Sequence, residues 1–334
     1  MCFETLQDGY QVALIIPTHN AARNWTALYD GIRRQQIAPQ QVLIIDSSSS
    51  DGTERLARDG GFRLVKIDQR DFDHGGTRQL AAQYFPEADI LLYLTQDAIP
   101  SNADAFCNIL AAFKDPWIGA AYGRQLPRPG AGPLEAHARH FNYPAISAIR
   151  TPESRKTLGF KAVFASNSFA AYRRTALEQV GGFPSGSIFA EDSIVFARLQ
   201  LAGWKTAYVA DAAVIHSHGY TLREEFSRYF DIGVFHARES WIEREFRTPY
   251  GEGRRFVLSE IRYLLPKNAH LIPWAALRTL AKVLGYRSGR KEAHLPLAVK
   301  RALSMHKNFW RAGAATRDHE QLEPRTPVHP PGSD

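Results

Sequence analysis

Val12-Ala13-Leu14-Ile15-Ile16-Pro17-Thr18-His19-Asn20 runs five apolar residues straight into a proline-led polar turn. An unbroken apolar run of this length, without alternation, marks a strand buried on both faces, as in a parallel sheet covered by helices. The turn that follows exposes backbone N–H groups and an imidazole ring able to stack on a base. Working outward, the same punctuation recurs. Strands are expected at Gln41–Asp46, Arg63–Ile67, Ile90–Thr95 and Trp117–Tyr122. Helices are expected between them at Trp25–Gln36, Gly52–Asp59, Gly75–Tyr84 and Ser101–Phe113, with Asp51 and Ser101 as N-caps. Such β-α-β alternation predicts a parallel sheet with right-handed crossovers, and ligands then gather at the carboxyl ends of the strands.

Beyond this block, Arg124–Lys161 is irregular and rich in Pro, Gly and basic residues, and reads as a mobile loop region beside the site. Phe164–Tyr172 resumes strand character. Asp192–Ala202 reads as a helix and Lys205–Val209 as a strand. Thr221–Phe246 reads as one long amphipathic helix, with Phe226, Tyr229, Phe230 and Val234 at helical spacing. Three further helical segments are expected, broken at Pro266, at Pro273 and at a Gly285–Gly289 turn. From Arg311 onward the polar, Pro-rich composition predicts disorder. The domain reading is therefore a catalytic domain over 1–220, a helical extension over 221–310 and a tail over 311–334.

Hydrophobic residues at 44% and charged residues at 22% of 334 describe a globular protein, and no apolar run is long enough to span a bilayer. Cys2 and Cys107 supply neither a disulfide framework nor a Cys-x-x-Cys pair, which suits a reducing, cytoplasmic compartment. No signal peptide is evident at the start of the sequence. Charge is uneven. Between Gly251 and Trp310 twelve bases face three acids, a surplus of nine, although the whole chain carries only +7. A basic segment interleaved with Leu, Ile, Trp and Tyr favours an anionic surface, such as the inner face of the cytoplasmic membrane, or a homo-oligomer contact. No motif of nucleic-acid recognition accompanies it.

Several carboxylates fall at strand ends, where burial is costly unless something uses them. Asp46 closes the second strand ahead of Ser47-Ser48-Ser49-Ser50-Asp51-Gly52-Thr53 and can accept the N3–H of a pyrimidine. With Pro17, Thr18, His19, Asn20 and Ser48 it forms a nucleotide-binding set. In Asp71-Phe72-Asp73-His74-Gly75-Gly76-Thr77-Arg78 the glycines permit close backbone approach, the helix N-terminus favours phosphate, and Arg78 is placed to grip a diphosphate beside His74 and Gly75. Thr95-Gln96-Asp97 ends the fourth strand. Gln96 belongs with the donor set, and Asp97 can hold Mg²⁺ or Mn²⁺ against diphosphate oxygens. His216 and His218, at i and i+2 in Val214-Ile215-His216-Ser217-His218, point to one face and are the further metal ligands expected. In Phe189-Ala190-Glu191-Asp192 two adjacent acids enter a helix. One reading is helix capping. The sharper one makes Asp192 a general base for an attacking hydroxyl, with Glu191 raising its pKa by like-charge repulsion. Asn167 and Trp204 complete the expected site as acceptor or sugar contacts.

Together these residues resemble the family-2 glycosyltransferases of GT-A fold, over roughly Val12 to Tyr220. Pro17-Thr18-His19-Asn20 is similar to the family's opening loop. Asp46 with Ser49-Ser50-Asp51-Gly52-Thr53 resembles its second-strand motif. Thr95-Gln96-Asp97 takes the place of Asp-x-Asp, with Thr95 where the family carries the first Asp. Arg173-Arg174 and Gly181-Gly182-Phe183 resemble the acceptor-side segment leading to Glu191-Asp192, and His216 stands at the late metal-ligand histidine. Phe72–Arg78, Leu94-Thr95-Gln96-Asp97-Ala98-Ile99-Pro100 and Tyr229-Phe230-Asp231-Ile232-Gly233 are most similar to bacterial rhamnosyltransferases of O-antigen and exopolysaccharide assembly. The resemblance implies an α/β, Rossmann-like, mostly parallel sheet flanked by helices, with a C-terminal helical extension. It implies an inverting enzyme that uses dTDP-β-L-rhamnose, Mg²⁺ or Mn²⁺, and a glycan or polyprenyl-diphosphate-linked acceptor. The alternatives are an inverting transferase with a UDP-sugar donor, a sugar-1-phosphate nucleotidyltransferase and a non-catalytic sugar-nucleotide binding protein. The second lacks the glycine-rich, basic loop it would need after the first strand.

Overall fold

The computed structural model describes residues 9–247 and 251–310. Strand β1 (Val12–Thr18) leads through α1 (Trp25–Arg34) to β2 (Val42–Asp46), α2 (Thr53–Asp59), β3 (Arg63–Lys66), α3 (His74–Ala82) and β4 (Ile90–Leu94). After β5 (Ile99–Pro100) and α4 (Ala105–Leu110) come β6 (Ile118–Leu126), α5 (Pro133–Asn142), β7 (Ala148–Arg150) and α6 (Arg155–Leu158). Then follow β8 (Phe169–Arg173), α7 (Arg174–Gln179), α8 (Glu191–Leu201) and β9 (Lys205–Ile215). The remainder is helical, with α9 (Leu222–Arg238), α10 (Ser240–Phe246), α11 (Glu252–Asn268), α12 (Ile272–Arg290) and α13 (Leu297–Leu303).

The strands form one sheet in the order β3-β2-β1-β4-β8-β6-β9-β5, with β7 added beside β9. The run β3-β2-β1-β4 is parallel, as the alternation requires. Strand β8 is antiparallel to both β4 and β6, so the sheet is mixed beyond that point. Both faces are covered, and the side chains of β1 divide by parity. Ala13 and Ile15 enter one core with Leu43, Ile45, Leu91 and Tyr93. Leu14 and Ile16 enter the opposite core with Val42, Ile44, Ile90 and Leu92. That is why the run carries no polar alternation: each face meets a helical layer. Leu14, Ile15 and Ile16 are fully buried, each contributing roughly 1.5–3 kcal/mol of apolar burial.

Several local expectations give way to tertiary packing. The 124–161 stretch is not a mobile loop region. It holds the end of β6, then α5, β7 and α6, tied down by Tyr208 donating to the Pro144 carbonyl at 2.6 Å and Arg124 to the Tyr143 carbonyl at 3.1 Å. The 221–246 segment is two helices meeting at Glu239. The first is capped by a reciprocal Thr221–Glu224 pair, with Glu224 N donating to Thr221 Oγ1 at 3.3 Å and Thr221 N to Glu224 at 2.8 Å. Pro266 lies inside α11 rather than ending it. The Gly285–Gly289 stretch is not a turn but the buried seam of α12. A Cβ on Gly285 would stand 2.3 Å from the Phe226 carbonyl oxygen, and one on Gly289 2.0 Å from that of Phe230, so two helix backbones touch there. The helix expected from Ser101 starts at Ala105, and Asp51 caps α2 only through its side chain, as Gly52 occupies the cap position. The tail expected to be disordered from 311 lies outside the described residues. Phe230, Val234, Phe235, Ile242, Phe246 and Trp310 join the same core as the sheet, so the helical extension is packed onto the α/β layer. Among the described residues, no helix is long and apolar enough to cross a membrane.

Candidate active site

The carboxyl ends of β1, β2 and β4 converge, and their loops are laced together. His19 N donates to Gln96 Oε1 at 2.7 Å, and Gln96 Nε2 returns a bond to the His19 carbonyl at 3.1 Å. Asn20, in the left-handed region at φ 50°, receives the Ser50 N–H at 2.9 Å and donates its own N–H to Ser49 Oγ at 2.8 Å. Asp51 accepts from Ala22 N at 2.9 Å and from Thr53 Oγ1 at 2.6 Å, joining α2 to the first loop. Asp46 is fully buried and accepts from Thr18 Oγ1 at 2.8 Å, Ser49 N at 2.8 Å and Ser49 Oγ at 2.6 Å. Both oxygens are thus engaged within the chain, and a base would have to displace Ser49 to reach them. Ser48 is exposed at φ 58°, its hydroxyl donating to the Ile67 carbonyl at 2.9 Å. Pro17, Thr18, His19, Asn20, Asp46 and Ser48 are therefore brought together, with Thr18 and Asp46 buried beneath the loops. Gln96 is the clamp across them rather than a free donor contact.

The Phe72–Arg78 motif departs from its expected use. Asp73 caps α3 by accepting from Gly76 N at 2.6 Å, and its other oxygen accepts from Gly186 N at 2.9 Å. Gly75 is needed because a Cβ there would lie 1.8 Å from the Pro184 carbonyl oxygen. The helix start is thereby pinned to the 184–186 loop that leads into α8. Arg78 is buried and does not face a diphosphate. It donates to the His74 carbonyl at 2.7 Å and pairs with Glu191 Oε1 at 3.0 Å. His74 is half-buried, and desolvation lowers its pKa against the pull of Glu191.

Glu191 and Asp192 open α8 after Ala190, a non-glycine residue at φ 56°. Asn167 brackets the pair. Its backbone N–H donates to Asp192 Oδ2 at 2.9 Å and its side-chain Nδ2 to Glu191 Oε1 at 2.9 Å, while its side-chain Oδ1 accepts from Tyr172 Oη at 2.6 Å. Asn167 is thus a positioning residue and not the acceptor contact expected. Trp204 is not one either: it is buried in the core with Nε1 donating to Gln179 at 2.9 Å. The two acids are driven apart. Burial works to raise Glu191, but Arg78, His74 and Asn167 outweigh it and hold the carboxyl below its usual range. Asp192 is pushed up to about 7, first by burial and then by the Glu191 charge. The half-exposed one is therefore the one with a base's pKa.

Asp97, His216 and His218 come together with ligand atoms within 4.8 Å of one another. His216 Nδ1 is 3.5 Å from Asp97 Oδ1, and His218 Nε2 is 3.4 Å from Asp97 Oδ2. Burial pushes the His216 pKa down to about 4 despite Asp97, so the ring is neutral, the form a metal requires. Its buried Nδ1 has no hydrogen-bond partner, and neither has Thr95 Oγ1. An orphaned imidazole nitrogen aimed at a carboxylate, with a second imidazole beside it, fits a Mn²⁺- or Mg²⁺-sized ion.

Two features of the site were not legible from the sequence. His306, from the segment after α13, stacks edge-on to His74 with ring centroids 5.2 Å apart. Asp231 holds that segment by accepting from Met305 N at 2.9 Å and His306 N at 3.2 Å. Arg228 lies over the Phe189 ring at 4.9 Å and the Tyr220 ring at 5.6 Å. The Tyr229–Gly233 motif was the sole signal, and it gave no partner for Asp231.

Joined strand-end loops, a split pair of acids and the Asp97–His216–His218 cluster on a mixed α/β sheet are the layout of a glycosyltransferase of the GT-A kind. The sequence pattern described as "Glycosyl transferase family 2" matches residues 13–181. The chain belongs to that family. It is 49% identical over 301 residues to the O-antigen chain rhamnosyltransferase RfbN of Salmonella typhimurium, covering 90% of this chain and 96% of that one. It is 48% identical over 298 residues to the O-antigen chain rhamnosyltransferase WbaN of Salmonella anatum, covering 89% and 95%. Among solved structures it is similar to the mannosyltransferase PcManGT from Pyrobaculum calidifontis in complex with GDP-Man and Mn²⁺. There the TM-score is 0.52 at 19% identity, with 96% of this chain and 93% of that chain covered, a likeness of fold.

Proposed function

We propose that this enzyme transfers L-rhamnose from dTDP-β-L-rhamnose to a hydroxyl of a lipid-linked glycan during cell-surface polysaccharide synthesis. The observation that carries the reading is Asp192: a carboxyl beside an ionised Glu191, oriented by Asn167, with a pKa of about 7. Its relatives at 48–49% identity, both O-antigen chain rhamnosyltransferases, support the sugar and the pathway class. Asp192 takes the proton from the acceptor hydroxyl. That oxygen then bonds to the anomeric carbon as the bond from the carbon to the diphosphate oxygen breaks, so the configuration inverts and dTDP leaves. Glu191 stays ionised on Arg78 and keeps Asp192 basic. Asp97, His216 and His218 would hold a divalent cation, which when bound neutralises charge on the diphosphate. The loops of Pro17–Asn20 and Asp46–Ser50 receive the nucleoside. In this reading the catalytic domain spans residues 1–220 and the helices from 221 to 310 serve the acceptor side, including contact with the membrane that carries it.

The test is transfer from dTDP-L-rhamnose against a panel of UDP- and GDP-sugars, with Mn²⁺, Mg²⁺ or EDTA. Product formed from the rhamnose donor alone, with the α-linkage, supports the proposal. Transfer from a UDP-sugar in its place would keep the reaction and overturn the donor.

A further inference from the structure

Helix α12 is built inside out. Its buried residues are all small, Ala275, Ala281, Gly285 and Gly289, and at Gly285 and Gly289 its backbone touches that of α9. Its large side chains point the other way: Trp274 is 43%, Leu277 42%, Leu280 52% and Leu284 48% exposed. A helix that only packed on a core would reverse this pattern. Small residues at the helix contact and large apolar ones outward is the arrangement of helices that meet lipid. The patch is not confined to one helix. Of the seventeen large hydrophobic residues exposed among the described residues, ten lie between Leu258 and Val299. With no spanning helix among the described residues, an apolar surface of this kind marks an interaction face.

Its charge selects the partner. From Ile261 to Lys291 there is no acidic residue, while seven bases occur. Arg278 and Lys282 are spent on Glu225, and Arg290 on Glu243. Arg262, Lys267, Arg287 and Lys291 are exposed and have no acidic partner among the described residues. At the C-terminal end of α12 an open concavity of about 540 Å³ is lined by Leu284, Arg287, Ser288, Arg290 and Lys291. A two-fold contact between copies would set this cationic face against itself, which argues against a second chain as its occupant.

We infer that α12 and the outer face of α11 lie on an anionic lipid leaflet. Trp274, Leu277, Leu280 and Leu284 enter the acyl boundary, and Arg287 and Lys291 take phosphate headgroups. This deepens the proposed function and rests on its lipid-linked acceptor. The face is also wired to the site. His137 of α5 meets Ser259 of α11 at 3.0 Å, and Leu134, Leu264 and Ala275 form a shared apolar cluster. On α5, Glu135 accepts from Ser217, between the two metal-cluster histidines. A leaflet under α11 and α12 is thus one helix removed from the His216–His218 loop.

The test is flotation of the full chain with phosphatidylcholine vesicles and with vesicles containing phosphatidylglycerol, at low and high salt. Binding is expected to the anionic vesicles and to weaken with salt. Arg287→Ala with Lys291→Ala should weaken it about 30-fold, two cations at roughly 1 kcal/mol each. Leu277→Ser with Leu280→Ser should abolish it with unchanged melting, because both side chains are already exposed. Equal recovery with neutral and anionic vesicles, or wild-type binding by both double variants, would overturn the inference. So would a dimer in light scattering that the serine variant dissolves. Rhamnose transfer to a short lipid-free acceptor separates the two proposals. The docking variants should keep it, and vesicle binding without any transfer would sink the proposed function while leaving the docking face standing.

Discussion

Replacing Asp192 by asparagine should remove activity and stabilise the protein, and the stabilisation should depend on pH in a stated direction. In the folded state Asp192 keeps its proton to about pH 7, against a reference value of 3.8. The folded chain therefore binds this proton more tightly than the unfolded chain, so wild-type stability falls as pH rises from about 4 to about 7. At ~1.36 kcal/mol per pH unit, the full cost above pH 7 is ~4 kcal/mol, of which ~2 kcal/mol is already present at pH 5. The asparagine side chain does not titrate. Its own losses, chiefly one N–H partner among Asn167 and Ser193, cost about 1 kcal/mol at every pH and cancel between two pH values. Urea unfolding at pH 5 and pH 8 should show the advantage of the variant growing by ~2 kcal/mol between them. Turnover should fall by roughly 10² or more while donor binding survives. A stability difference that is the same at both pH values would refute the perturbed carboxyl. Turnover within a few-fold of wild type would refute the base.

Because His216 is neutral down to about pH 4, Mn²⁺ affinity measured by calorimetry should be nearly flat between pH 6 and 8, whereas a histidine of ordinary pKa would lose affinity at the lower end. His216→Ala and Asp97→Ala should each remove the metal-dependent thermal shift without unfolding the chain. Asp231→Ala leaves the Met305 and His306 N–H groups without their acceptor, so hydrogen exchange at those two amides should accelerate by about tenfold or more while the β1–β4 amides stay protected. Gly289→Ala should destabilise the protein by about 1–3 kcal/mol in a urea melt, because its Cβ meets backbone that cannot rotate away.

What could be read in advance was whatever a residue's own neighbours determine. The β1 run declared a strand covered on both faces because both parities are apolar, and Ile215-His216-Ser217-His218 declared a shared face because side chains alternate. Glu191-Asp192 stood out because it followed strand ends already carrying Asp46 and Asp97, although a pair of acids at a helix start also suits the dipole. What failed was everything set by a distant partner. Arg78 looked like a phosphate grip until Glu191, more than a hundred residues later, proved to be its ion pair. Gly285 and Gly289 looked like a turn because the α9 backbone that requires them is some sixty residues away. Asn167 and Trp204 were polar and aromatic near a site, but one is an internal bracket and the other is core.

The position of Arg78 gives the Phe72–Arg78 motif a different purpose from the one its glycines suggest. A glycine-rich helix start with an arginine one turn in ordinarily faces a phosphate. Here Asp73 fills the helix start, and Gly75 lets the chain close on Pro184. The motif's charge then reaches inward to Glu191. Without Arg78, the buried Glu191 and the half-buried Asp192 beside it would share one proton, and neither would be a defined base. With it, Glu191 is fixed as the anion, and Asp192 alone carries the raised pKa. His74 sits on the same turn and is overlaid by His306, itself held by Asp231. The donor-side motif, the acid pair and the C-terminal segment are thus one electrostatic unit, and a change in any of them should be felt first in the ionisation of Asp192.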